Sequence, residues 1–220
     1  MSAEGALRNG NVPGFELIET LRWQPDTGFL RGDLHLARLA ASAGALGFSH
    51  DPDRIGTALH DAIVGSNEPQ RVRLTLARDG AAQCSAQPFQ PLPAGTVWRL
   101  KPARARLDSA NPLLCHKTSR REIFAQARAE YPPDAADEVL LANERGEICE
   151  GSFTNLFADF GDGLLATPPL DCGLLPGILR AELLRQGKAR EEILTLDRLN
   201  TARALYVGNS LRGLILARLV

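Results

Sequence analysis

The sequence predicts a two-domain α+β protein, and three observations carry that expectation. Gln70 to Ala77 (QRVRLTLA) alternates strictly, with Val72, Leu74 and Leu76 on one face and Arg71, Arg73 and Thr75 on the other, which is the pattern of a half-buried strand. Pro88 to Gly95 (PFQPLPAG) is a proline-rich connection and marks a domain boundary. Beyond it, apolar runs separated by Asn-Glu-Arg-Gly and Asp-Gly turns read as hairpins. A small α/β domain is thus expected over 1–88 and a larger β-rich domain over 95–220.

Composition narrows the function classes. The 220 residues are 44% hydrophobic and 23% charged with a net charge of −1, so nothing favours nucleic acid or an anionic membrane. No apolar run approaches a membrane span, and MSAEGALRNG has no signal-peptide core. The cysteines Cys84, Cys115, Cys149 and Cys172 form no C-x-x-C pair. That argues against a zinc site and suggests reduced thiols in a cytoplasm. Of the 25 basic residues only Lys101, Lys117 and Lys188 are lysines. Arginine stays protonated and is a poor nucleophile, so covalent chemistry on a carbonyl has these three candidates.

In chain order, residues 1–13 read as a frayed start. Gly14 to Trp23 reads as a strand and Pro25–Gly28 as a turn. Asp33 is the expected N-cap of a helix over 34–47. On it, His35, Arg38 and Ser42 share a polar face, with Leu36, Leu39, Ala43 and Leu46 roughly opposite. Asp51-Pro52-Asp53 caps a second helix over 53–64. After the 70–77 strand, Arg78-Asp79-Gly80 turns into a strand over 82–88. Thr96 to Lys101 is a strand, and Ala103 to Pro112 has no regular period. Thr118 or Ser119 is the expected cap of a helix over 119–130, stopped by Pro132-Pro133. That would set Lys117 at the mouth of the helix, where the positive end of the dipole favours a neutral amine.

Asp137 to Phe157 (DEVLLANERGEICEGSFTNLF) is the central hairpin. Its second strand ends on Glu150, which is either an edge charge in solvent or a carboxylate that meets a cation. Asp159 to Thr167 is a further hairpin, and Thr167 to Pro176 a loop. Pro176-Gly177 opens a helix over 178–187, whose first N–H groups can take an anion. A short helix starts at Asp197, and Ala204–Val207 is a strand followed by the Gly208–Gly213 turn.

Three of these stretches together resemble the class IV aminotransferases, the fold-type IV enzymes of pyridoxal 5'-phosphate (PLP). They are Lys117-x-x-x-Arg121, then EGSFTNLF, then TPPL with GLLPGILR. The 4-amino-4-deoxychorismate lyase branch is the most similar. Gly14, Glu19, Thr20 and Arg22 match a family strand, although Phe15-Glu16 stands where the family has Asp-Gly. A front segment that relatives carry has no counterpart here. The resemblance implies that Lys117 bonds the cofactor and moves protons. It implies that Glu150 pairs with the pyridine nitrogen. Arg38, Gly177, Ile178, Leu179 and Ser210 would anchor the phosphate, with Leu179 standing where some relatives have threonine. Arg73 is the candidate for a substrate carboxylate. A homodimer with the cofactor in the cleft between the domains is also implied. The expected reaction releases pyruvate and forms 4-aminobenzoate. The alternatives are transamination of branched-chain or D-amino acids, or a non-catalytic paralogue that binds a partner such as an aminodeoxychorismate synthase subunit.

Overall fold

The computed structural model describes residues 14–220; the expectation for 1–13 lies outside them. The chain forms two compact units. The first runs up to Pro91 and takes in His116–Arg120; the second comprises Leu92–Cys115 and Arg121–Val220.

The first unit is a four-stranded sheet with helices on one face. Strands β1 (Leu17–Gln24), β2 (Gly28–Leu30), β3 (Gln70–Leu76) and β4 (Ala82–Pro88) are ordered β2-β1-β3-β4, all antiparallel. Leu17, Leu21, Val72, Leu74 and Leu76 are buried on the helix-covered face. Helix α1 (Gly32–Leu46) starts from Arg31, not Asp33. Arg31 sits at φ 56°, and Asp33 falls inside the first turn. A local sequence rule for caps cannot anticipate a left-handed arginine, whose strain the surrounding fold must offset. Gly47 closes α1 in the left-handed region, as a C-terminal glycine commonly does. Helix α2 (Pro52–Ile63) has Asp51 as its N-cap, accepting from the Asp53 and Arg54 amides.

The second unit is an eight-stranded sheet. Its strands are β5 (Trp98–Leu107), β6 (Glu138–Asn143), β7 (Ile148–Gly151), β8 (Asn155–Asp159), β9 (Leu165–Thr167), β10 (Ala189–Glu191), β11 (Ala204–Asn209) and β12 (Gly213–Leu219). The order is β10-β9-β8-β11-β12-β5-β6-β7, and an extra β7–β8 pairing closes a ring of strands. Inside that ring lie Leu100, Leu140, Ile148, Leu156, Val207 and Ile215, among others. Helices α3 (Glu122–Ala129), α4 (Ile178–Arg185) and α5 (Leu196–Leu199) complete the unit. Ala127 of α3 packs with Val139, Leu141 and Cys149 on an outer face. Leu179 and Leu183 of α4 pack with Phe157 on another.

Two further expectations need correction. Residues 103–107 are not irregular: they continue β5, with a register shift between Pro102 and Arg106 that breaks the alternation. Helix α3 begins at Glu122 with Arg121 as its N-cap, not at 119. Strand β10 pairs with β9 and the terminal strand β12 with β5, both partners distant in sequence, so local pattern gave them no signal.

Candidate functional site

Lys117 lies in an extended segment of the first unit, not at a helix mouth. The Ile18 N–H donates to the Lys117 carbonyl at 2.8 Å, the Ser119 N–H to the Glu16 carbonyl at 2.9 Å, and Leu17 bridges Thr118 antiparallel. The Glu16 N–H also donates to Ser119 Oγ at 3.0 Å. The segment is therefore an added piece of edge strand on β1. The dipole argument for Lys117 falls away, because α3 starts five residues later.

The supposed polar face of α1 is buried. His35 is 2% exposed and Ser42 is 5% exposed. Both turn to partners that the sequence does not place next to them. Glu19 on β1, 1% exposed, accepts from Arg38 Nε at 2.9 Å and from Arg38 Nη2 at 2.7 Å, and its Oε2 lies 2.6 Å from His35 Nδ1. Burial alone would raise the Glu19 pKa. The Arg38 charge and the hydrogen bonds from His35 and Arg38 outweigh it and hold the carboxyl below the ordinary carboxylate value. Ser42 Oγ and His116 Nδ1 lie 2.9 Å apart, which fastens the residue before Lys117 to the helix that carries Arg38. Arg73 is exposed on β3, directly opposite Thr20.

In the second unit Glu150 is 5% exposed, so the reading of an edge charge in solvent fails. It accepts from the Leu175 N–H at 3.2 Å. Its cross-strand partner Asn155 donates through Nδ2 to the Leu175 carbonyl at 3.1 Å. The next strand places Gly208 opposite Asn155. The result is a row of Glu150, Asn155 and Gly208 across three strands, with the N-terminus of α4 laid over it. A Cβ on Gly177 would come 1.7 Å from Asn155 Oδ1, and one on Gly208 would come 2.9 Å from a Leu179 methyl. The close approach of the helix end to the sheet excludes a side chain at Gly177, and at Gly208 the Gly213 carbonyl, 2.7 Å from such a Cβ, excludes it as well. Gly177 is the N-cap of α4 and supplies no side-chain cap, so the Ile178 and Leu179 amides open the helix. Ser210, 6% exposed, follows Gly208 in the β11–β12 turn. Glu150, Gly177, Ile178, Leu179 and Ser210 are thus brought to one end of one sheet, whereas Lys117, Arg38 and Arg73 belong to the first unit.

Sequence reading missed Glu138. It is fully buried and accepts from the Val139 N–H, Ser152 N–H and Oγ, Phe153 N–H and Thr154 Oγ1 at 2.6–3.3 Å. These bonds shape the Gly151–Thr154 turn between Glu150 and Asn155. Gly151 has no room for a side chain there: a Cβ would meet Thr154 Oγ1 at 2.3 Å. The signal was available, since Glu138 flanks an apolar strand just as Glu150 does. Arg121 donates to the Ser152 carbonyl and stacks 4.7 Å over Phe124, so the arginine of the K-x-x-x-R segment also braces this turn. The buried thiols do not compete as nucleophiles: burial pushes Cys172 up to about 12 and raises Cys149 further still.

The model of the amino-transferase class IV family matches residues 16–220. A protein of Schizosaccharomyces pombe, provisionally named aminodeoxychorismate lyase, is 30% identical over 184 residues, covering 81% of this chain and 79% of its own. A crystal structure from Mesorhizobium loti, provisionally named amino-acid aminotransferase, is 65% identical, covers 94% of this chain and 100% of its own, and superposes with a TM-score of 0.93. One from Legionella pneumophila, provisionally named 4-amino-4-deoxychorismate lyase, is 26% identical with a TM-score of 0.78, covering 94% of this chain and 83% of its own. With a family model spanning nearly every described residue, the chain belongs to the class IV aminotransferases, the fold-type IV enzymes that depend on PLP.

Proposed function

We propose that this chain is a PLP-dependent lyase that converts 4-amino-4-deoxychorismate to pyruvate and 4-aminobenzoate, a folate precursor. The observation that carries the PLP part is the buried Glu150 carboxylate beside the uncapped N-terminus of α4. A carboxylate suits a protonated pyridine, and a helix N-terminus suits a phosphate. The choice of lyase is supported by the S. pombe and L. pneumophila relatives.

When bound, PLP supplies an electron sink for the substrate carbon that bears nitrogen. Glu150 would hold a proton at the ring nitrogen. The Ile178 and Leu179 amides, with Ser210 and the Arg38 guanidinium, would bind the phosphate; Glu19 takes one edge of Arg38 and fixes its direction. Lys117 would hold the cofactor, and its amine, once free, would take the proton from the substrate carbon that bears nitrogen. The C3–O bond then breaks, the ring becomes aromatic, and enolpyruvate leaves. A proton delivered by Lys117 to the methylene carbon completes pyruvate. The substrate atoms are divided between the two products, and no water or keto-acid is consumed. Arg73 would meet a substrate carboxylate. The reading carries with it a homodimer and a cytoplasmic address. No described helix is long and apolar enough to cross a membrane.

The name given to the M. loti relative favours a second reading, transamination by the same residues. Full-length protein loaded with PLP separates the two. Pyruvate and 4-aminobenzoate formed in equal amounts from aminodeoxychorismate, without a keto-acid, supports the lyase. Amino transfer that appears only when a keto-acid is added, with no pyruvate, rejects it. Lys117→Ala should lose at least about a thousandfold in rate. Borohydride reduction followed by peptide mapping should label Lys117 and neither Lys101 nor Lys188.

A further inference from the structure

The first-unit sheet has one face covered by α1 and α2 and one face that is not. Glu19, Leu21 and Leu74 point to the covered side, where Glu19 meets His35 and Arg38. Strand alternation sends the neighbouring residues the other way. On β3 these are Arg71 and Arg73, both exposed; on β1 they include Arg22. Arg22 and Arg71 are direct cross-strand partners, and Arg73 stands opposite Thr20, two residues along from Arg22.

Like charges directly opposite each other on a sheet destabilise it. Among the described residues of these strands, no acid on this face offsets them. β4 contributes Gln83, Ser85 and Gln87 to this face, opposite Thr75, Arg73 and Arg71. None of the three arginines forms an ion pair among the described residues. The Arg22 guanidinium carbon lies 4.3 Å from the centroid of the Phe89 ring, and its Nε is buried without an acceptor among the described residues. The same alternation puts the reactive lysine on this face. Thr118 is 3% exposed and bridges Leu17, which lies on the covered side. Lys117, one residue earlier and opposite Ile18, therefore falls on the arginine face.

We propose that Arg22 and Arg71, together with Arg73, form a subsite for a substrate that carries two carboxylates, presented on the sheet face that bears Lys117. One carboxylate alone would leave the facing pair Arg22 and Arg71 in repulsion. Two carboxylates match a row of three guanidinium forks. Arg22 and Arg71 are then specificity-determining residues that select dianionic amines over amines with one carboxylate. This rests on the lyase reading, whose substrate has a ring carboxylate and an enolpyruvyl carboxylate.

The test is calorimetric binding of chorismate and of 4-hydroxybenzoate to the PLP-loaded full chain. Chorismate presents both carboxylates without the amine; 4-hydroxybenzoate presents one. The wild type should prefer chorismate by at least about tenfold, the size of one lost charge-assisted pair. Arg22→Met and Arg71→Met should each reduce that preference to near unity, with thermal midpoints close to wild type. Arg22→Lys keeps the charge without the fork and should recover only part of it. Equal affinity for the two probes in the wild type, or a preference unchanged in the variants, overturns the subsite. The lyase reading fails separately. Arginine-dependent chorismate binding without pyruvate release from aminodeoxychorismate keeps the subsite and rejects the lyase. Wild-type pyruvate release by both arginine variants does the reverse.

Discussion

Glu150 and Asn155, cross-strand partners on β7 and β8, grip the same residue from both sides. One accepts from the Leu175 N–H at 3.2 Å and the other donates to the Leu175 carbonyl at 3.1 Å. The two segments that looked distinctive in the sequence, EGSFTN and LLPG, are thereby one object. A loop held by its amide and its carbonyl has little freedom to move the α4 N-terminus that follows it. Glu150→Gln keeps the shape and an oxygen for the Leu175 amide but loses the charge. Thermal unfolding of the variant without cofactor should shift by about 1 kcal/mol or less, while turnover falls roughly 100-fold or more. A large stability loss with turnover intact would mean that Glu150 is only a structural acceptor.

The approach of α4 to the sheet makes Gly177 the most sterically constrained position of the site. Its φ of −66° is open to any residue, so the cost of Gly177→Ala is purely steric. The added methyl would overlap Asn155 Oδ1. The variant should lose about 1–3 kcal/mol in chemical denaturation and bind PLP more weakly. Gly146→Ala, at a φ of 79° with open space around it, should be destabilised by backbone strain alone, about 1 kcal/mol, and keep its PLP affinity.

Glu19 gives the first unit an acid sensitivity whose sign follows from its environment. Its folded pKa is lowered, whereas the unfolded value is about 4.3. The stabilisation is therefore fully present above the unfolded pKa and is lost as pH falls through the depressed folded value. Denaturation midpoints should decline below about pH 4 in the wild type and decline less in Glu19→Gln. At neutral pH, Glu19→Ala should cost about 3–5 kcal/mol, because it removes a buried carboxylate paired with the Arg38 guanidinium and the His35 ring.

Glu138 should matter as much to the fold as the residues it positions. Glu138→Ala removes the acceptor for the buried amides and hydroxyls of Ser152, Phe153 and Thr154. At about 1–3 kcal/mol for each orphaned donor, soluble expression or unfolding midpoint should collapse. Glu138→Gln retains one acceptor oxygen and should fold, with a detectable drop in midpoint. A stable Glu138→Ala protein would show that water replaces the carboxylate.

By itself, the sequence determined the alternating strands, the Asp51 cap, the hairpin turns and the chemical candidates. Those are local matters: the side-chain period, glycine and proline conformations, and a short supply of lysine act within a few residues. The sequence left the Glu150 carboxylate open between solvent and a partner, because burial depends on strands and loops far along the chain. It placed Lys117 at a helix mouth, and only the tertiary structure moved it onto the edge of β1, where backbone pairing with Glu16 and Ile18 outweighs the local capping signal at Thr118 and Ser119. It named Arg38, His35 and Ser42 as a polar helical face. Packing against β1 turned that face inward and supplied Glu19 and His116 as partners. It put Arg71 and Arg73 on one face of a strand and Arg22 on another strand, and only sheet register set Arg22 directly opposite Arg71. Hydrogen bonds and charges act over a few ångströms, and which residues fall within that range is set by pairing between segments that the sequence holds tens of residues apart.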